Sequence, residues 1–477
     1  MRCLAAWAAL LVAGAGACAA SSGRVEQPAA PRVVLEDSRA IQQLPGYRSE
    51  MVDAPGFTGQ PYVMEAGRRE APTVVLVHGL GENGSTDFDP IVPALAAHYH
   101  VLTFDLPGFG RSTRGHDLYS PEAYADFVHA LVAQRSVGRI NLVGHSMGGA
   151  VSLTYAARFP AEVDRLFLID VAGVLHRKAY VSFAIAAGLD NLLGVFAETG
   201  KAVAADAMES SSQALDPLLP WLSTSPDPSL LLRIDLVRAR VLKTPTRIAA
   251  LATILEDFGP VIAKVQAPTF ILWGRNDAVA SLRAGKLLKA RLPYAQLRVL
   301  DGAGHDPMAQ QPAAVVDFLL QGLATAPSRP WQRVRVAPVL PDRPIRCEGQ
   351  RGVEISGDYS EITLDGCVAT LKDVRARQIH IRNSQVVLEN TVVFSTEVAV
   401  DVADSRVEMT ACDLSGATAL QVDGGELDLA GVELRGDAAS VRVGRAARII
   451  FSVSRVDSTI QRRFVHEMVE AKAGEEW

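Results

Sequence analysis

At 477 residues the chain is too long for one ordinary domain, so two or three are expected, each with its own core. Apolar residues make up 48% and the formal net charge is -6, a balance that fits a soluble globular enzyme or module. No basic stripe is present that could neutralise a phosphate backbone, which argues against a nucleic-acid partner.

The first element is a targeting segment. Arg2 precedes a short apolar run from Leu4 to Val12, and small residues lead to Cys18. That pattern reads as a signal peptide over residues 1–17, too short to span a bilayer as a helix. Gly16, Ala17 and Cys18 resemble the lipobox of bacterial lipoproteins, which would make Cys18 an acylated first residue and the protein a bacterial envelope lipoprotein. Ala15, where that motif usually has Leu, departs from it. Ala17-Cys18-Ala19 also suits ordinary signal peptidase and a periplasmic or secreted protein. Residues 18–50, rich in Ala, Ser, Pro and Gln, read as a tether.

From residue 51 to 326, apolar runs alternate with helical patterns: Thr73 to Val77, Val101 to Asp105, Ile140 to Val143, Arg165 to Asp170, Thr269 to Trp273 and Gln296 to Leu300. Continuous apolar strands separated by helices predict a parallel, doubly wound α/β sheet covered on both faces. The alternation lapses between about 173 and 259 into an apolar helical tract, placed where a lid would cover a site at the carboxyl edge of the sheet.

Pro-rich spacing over 327–344 marks a linker. Beyond it, Ile362-Thr363-Leu364, Ile379-His380-Ile381, Val400-Asp401-Val402, Leu420-Gln421-Val422 and Val441-Arg442-Val443 recur about every 17 to 21 residues, most followed by a second alternating run. Short strands at that period with polar corners predict an all-β repeat domain over 345–458, a short parallel β-helix, with a β-sandwich as the competing fold. Residues 459–477 read as a charged helical tail. An exported chain permits a Cys347–Cys367 bridge, and free buried thiols fit equally.

The chemistry centres on Gly144-His145-Ser146-Met147-Gly148, a Gly-x-Ser-x-Gly turn between the run ending at Val143 and a helical pattern. A turn that tight pushes the serine hydroxyl out toward a base. Asp277 follows the next-to-last strand and His305 the last, in the order nucleophile, acid, base. Asp257 and Asp170 are weaker acid candidates, and Asp306 is expected to face away. Acyl transfer also needs oxyanion donors, assigned to the N–H groups of Met147 and Leu80. Gly79-Leu80-Gly81-Glu82-Asn83-Gly84 with Asp105 offers a rival dinucleotide-binding reading. His78 ahead of the first glycine and the Ser/Asp/His set argue against it.

Together with Asp105-Leu106-Pro107-Gly108-Phe109-Gly110-Arg111-Ser112, these motifs resemble an α/β-hydrolase of the esterase/lipase and meta-cleavage-product hydrolase branch. The resemblance implies Ser146 as nucleophile, His305 as base, Asp277 as orienting acid and a lid lining the pocket. The serine distinguishes the chain from relatives with Asp at the elbow.

The expected activity is exported cleavage of a small-molecule carboxylic ester, with an apolar acyl or lipid-like substrate favoured by the lid composition. Carbon–carbon bond hydrolysis and perhydrolysis use the same residues. A different reading makes the repeat domain a surface module for cell-surface polysaccharide, with an accessory hydrolase. Contact with a membrane is expected only through the Cys18 anchor. No cofactor or metal is expected: His98-Tyr99-His100 lacks Cys or carboxylate partners at ligand spacing.

Overall fold

The computed structural model describes residues 37–176, 179, 232–292, 294–325, 339–457 and 462–477. The signal, Cys18 and most of the expected lid therefore lie outside the described residues.

Among the described residues, the first layer is an eight-stranded sheet ordered β1-β2-β4-β3-β5-β6-β7-β8. Its strands are β1 (Arg48–Met51), β2 (Tyr62–Ala66), β3 (Thr73–Val77), β4 (His100–Phe104), β5 (Ile140–His145), β6 (Val163–Ile169), β7 (Thr269–Gly274) and β8 (Ala295–Leu300). From β4 onward all pairings are parallel, whereas β1 and β2 form an antiparallel edge. The helices that matter for the site are α1 (Pro121–Arg135), α2 (Met147–Arg158), α3 (Pro245–Leu255), α4 (Phe258–Ile262), α5 (Leu282–Arg291) and α6 (Pro312–Ala324). Buried apolar clusters lie on both sides of the sheet, one with Val75, Leu142 and Leu168, the other with Val74, Val143 and Ile169. Alternate side chains of each central strand thus enter opposite cores, which is why those strands read as unbroken apolar runs.

The domain starts earlier than residue 51. Asp37 is buried and accepts from the hydroxyls of Tyr47 and Tyr62 and from Arg111, and β1 pairs with β2. The tether expected over 18–50 is therefore, from residue 37 onward, part of the fold.

The second layer is a stack of coils built from β9 (Ile345–Glu348), β10 (Arg351–Asp365), β11 (Val368–Arg382), β12 (Gln385–Glu389), β13 (Val392–Phe394), β14 (Val398–Thr410), β15 (Asp413–Ala430), β16 (Glu433–Arg445), β17 (Ala447–Ser452) and β18 (Ser454–Asp457). Its pairings are parallel, and they align Ile362 with Ile379, Ile379 with Val400, Val400 with Leu420 and Leu420 with Val441. Those five side chains are fully buried, forming an inward ladder one rung per coil. Each contributes about 1.5–3 kcal/mol of apolar burial. A second ladder runs Val386, Val407, Leu427, Ile449. Parallel pairing one repeat apart is coil wiring rather than sandwich wiring. Cys347 and Cys367 form a disulfide at the first coil, and Cys412 is buried and free.

The end of the chain corrects the expected helical tail. Residues Arg462–Val465 form β19, antiparallel to β18, and Met468–Ala471 form β20, antiparallel to β17. The charges that suggested a solvated helix pair across strands, Glu470 with Arg448 and Glu476 with Arg442. Val465 and Ala471 turn inward, and Trp477 meets Phe451 edge-on, so the segment closes the stack.

Candidate active site

Ser146 sits between β5 and α2 with φ 53° and ψ -120°, a conformation L-residues rarely adopt. The packing around it leaves no room for side chains two residues away on either side. A Cβ on Gly144 would lie 2.3 Å from the Gly148 carbonyl oxygen, and one on Gly148 would lie 2.1 Å from that of Val77. The elbow therefore holds its strain because β3, β5 and α2 are pressed together around it.

The tertiary fold brings the three separated residues together. His305 Nε2 is 2.9 Å from Ser146 Oγ, and His305 Nδ1 is 2.8 Å from Asp277 Oδ2. A carboxylate only accepts, so Nδ1 carries the hydrogen and Nε2 is left to accept the serine proton. Asp277, in the turn after β7, is itself fixed: its Oδ1 accepts from the N–H groups of Val279 at 2.7 Å and Ala280 at 2.9 Å. The His305 loop is pinned from the elbow, where His145 Nε2–H donates to the His305 carbonyl at 2.7 Å. Burial, reinforced by the neighbouring His305, pushes His145 down to about 3, so it serves as a neutral donor.

The oxyanion loop has a similar brace that sequence reasoning missed. His78 is fully buried; its Nε2 accepts from Leu106 N–H at 2.8 Å, which leaves Nδ1–H to donate to the Gly79 carbonyl at 2.7 Å. Burial holds this imidazole below its usual range, hence neutral. In a trans peptide the N–H points opposite the carbonyl, so fixing Gly79 O also fixes the direction of Leu80 N–H. Gly79 lies against Ser146: a Cβ there would be 2.9 Å from Ser146 Cβ. Met147 N–H is the first of α2, and among the described residues neither it nor Leu80 N–H has an acceptor. The one signal for His78 in the sequence was its place before Gly79.

Other candidates have different employment. Asp105 is buried and accepts from Ser85 and from Arg111, whose guanidinium also bonds Asp37 and lies over the Tyr62 ring. It is a structural ion pair, and the glycine-rich loop runs into a short 3-10 turn at Gly84–Phe88 instead of a long helix. The dinucleotide reading is thereby set aside. Asp257 caps α4, and Asp306 caps the turn at Pro307–Gln310. His100 is absorbed by Thr73 and Glu65.

Asp170 lies nearer the chemistry. It directly follows β6 with φ 45°, and its Oδ1 accepts from Gly274 N–H at 2.8 Å. Burial, then the charge of Asp277, pushes its carboxyl well above the usual range, which favours the protonated form beside Asp277. A neutral acid in that position adds no second negative charge beside the Asp277 carboxylate.

A family model described as the alpha/beta hydrolase fold matches residues 72–312. An uncharacterised protein of Mycobacterium tuberculosis is 28% identical over 281 residues, covering 56% of this chain and 80% of that protein. Lipase 3 of Moraxella sp. is 27% identical over 242 residues, 50% of this chain and 72% of the lipase. The 2-hydroxy-6-oxo-2,4-heptadienoate hydrolase of Pseudomonas putida is 31% identical over 242 residues, 49% of this chain and 82% of that enzyme. With that model spanning half of the chain and the sheet order above, the chain belongs to the alpha/beta hydrolase fold family.

Proposed function

We propose that the protein is an exported serine hydrolase that cleaves a carboxylic ester through an acyl-enzyme. The observation that carries the reading is the unbroken hydrogen-bond line from Asp277 through His305 to Ser146 Oγ, at 2.8 and 2.9 Å. His305 Nε2 takes the Ser146 proton as Oγ attacks the ester carbonyl. Asp277 stabilises the imidazolium that forms. Leu80 and Met147 N–H receive the developing oxyanion, aided at Met147 by the positive end of α2. His305 returns the proton to the departing alcohol. Water then attacks the acyl-enzyme with His305 again as base.

Likeness to a lipase supports an ester substrate, and the apolar composition of the lid tract supports an apolar acyl group. The Cys347–Cys367 disulfide supports an oxidising compartment, in agreement with a signal peptide and a lipid anchor at Cys18. Turnover of p-nitrophenyl esters of graded chain length tests the reading. Ser146→Ala is expected to lower kcat on the order of 10⁴- to 10⁶-fold and to abolish fluorophosphonate labelling. Undiminished turnover in that variant overturns it. Carbon–carbon bond hydrolysis is the second reading, favoured by the 31% identity to the heptadienoate hydrolase. Preference for that 2-hydroxy-6-oxo substrate over every ester would replace the first reading.

A further inference from the structure

Helix α5 begins at Leu282, five residues after Asp277, and its two faces have different neighbours. On the sheet side Gly285 rests on the Trp273 ring, whose Nε1–H donates to Ala280 O at 2.9 Å. On the other side Arg283, Lys286, Leu287 and Arg291 form one stripe at helical spacing that lies on the coil stack. Arg283 reaches furthest: Nε donates to Thr410 Oγ1 at 2.8 Å, Nη2 to the carbonyls of Met409 at 3.0 Å and Asp428 at 2.8 Å, and Nη1 meets Asp428 Oδ2 at 2.8 Å. Lys286 pairs with Glu389 at 2.6 Å, and Arg291 with Asp413 at 3.1 Å and Glu433 at 3.2 Å. Leu287 packs on the Gly431 corner.

The acids on the stack are arranged for this helix. Glu408 stands beside Asp428 on adjacent rungs, and Asp413 beside Glu433. Like charges directly opposite on neighbouring strands repel unless a cation lies between them. The stack touches the hydrolase a second time at the base of the lid, where His176 N–H donates to Ser452 Oγ at 2.9 Å and Phe464 approaches Gly259.

We propose that the coil stack is a working part of the hydrolase, with Arg283 as a positioning residue that anchors the 277–283 turn and so aims the Asp277 carboxylate at His305. Ala280 N–H, one of the two donors to Asp277 Oδ1, is three residues before Arg283. That turn is held at one end by Trp273 and at the other by the stack. Releasing the stack end lets the Ala280 donor, and with it the carboxylate, shift. A displacement near 1 Å at a catalytic group costs about 100-fold in rate.

This proposal rests on the Ser146, His305 and Asp277 assignment, and a double-mutant cycle on the full-length protein separates the two. Arg283→Met is expected to lower kcat for p-nitrophenyl butyrate about 10- to 100-fold with KM within about twofold. In an Asp277→Ala background the same change is expected to cost nothing further, because the group it aims is gone. Should Arg283→Met fail to yield folded protein by circular dichroism, Arg283→Lys, which keeps the charge and loses the fork, is carried through the same cycle. Equal losses in both backgrounds, or an unchanged kcat, overturn the positioning role. Failure of the underlying assignment shows separately, as a Ser146→Ala variant that still turns over and still labels.

Discussion

A carboxylate beside a carboxylic acid is the least conventional pair near Ser146. Asp170 stays protonated because it is buried and because Asp277 already holds the negative charge. Its folded-state ionisation is raised, so its contribution to stability is complete below the ordinary carboxylate range and is lost as pH rises through the raised value. Asp170→Asn keeps an acceptor for Gly274 N–H and removes the titration. We expect this variant to retain kcat within a few-fold and to melt with a flatter pH dependence between pH 5 and 9, gaining on the parent at the alkaline end. A melting-temperature series across those pH values checks it. An Asp170→Ala variant should be less stable, since the buried Gly274 N–H then loses its acceptor. None of this could be read from the sequence, where Asp170 was one acid after one strand; its partner is 107 residues away and meets it only because β6 and β7 are neighbours.

At the scale of elements, the elbow depends on backbone contact. A methyl group on Gly148 would meet the carbonyl oxygens of Val77 at 2.1 Å and His78 at 2.4 Å, atoms that cannot swing aside. Gly148→Ala is therefore expected to cost roughly 1–3 kcal/mol, measured by thermal or urea melting, and to slow fluorophosphonate labelling of Ser146. Central strands were legible from sequence to within one or two residues because burial on both faces writes an unbroken apolar run. β1 was not, because all four of its residues are exposed and carry no alternation. The expected tail, residues 459–477, was misread for a related reason. Their charges are spaced as a helix would space them, yet they are satisfied by Arg442 and Arg448 on neighbouring strands. Charge spacing records that partners exist, not on which element they lie.

The whole molecule behaves as two architectures with one interface. Arg283 and Arg291 are nearly buried at that interface, and Ala430, Val453, Ile450 and Phe464 of the stack pack into the apolar core of the hydrolase. Removing residues 345–477 would take from both arginines the acids they pair with and uncover that apolar core to water. We expect the truncated chain not to accumulate as a folded monomer, checked by circular dichroism and size-exclusion chromatography; a soluble, fully active fragment would contradict the interface. The sequence by itself determined the α/β class of the first half, the period of the β repeats in the second, and the chain order in which Ser146, Asp277 and His305 follow their strands. Those features depend on local periodicity and on turn residues that only a few conformations accept. Tertiary structure alone decided that His78 and His145 brace the two loops, that Asp170 keeps its proton, and that Arg283 crosses to Asp428. Each of these joins residues distant in the chain, and a buried charge or imidazole acquires its role from the partners that folding places around it.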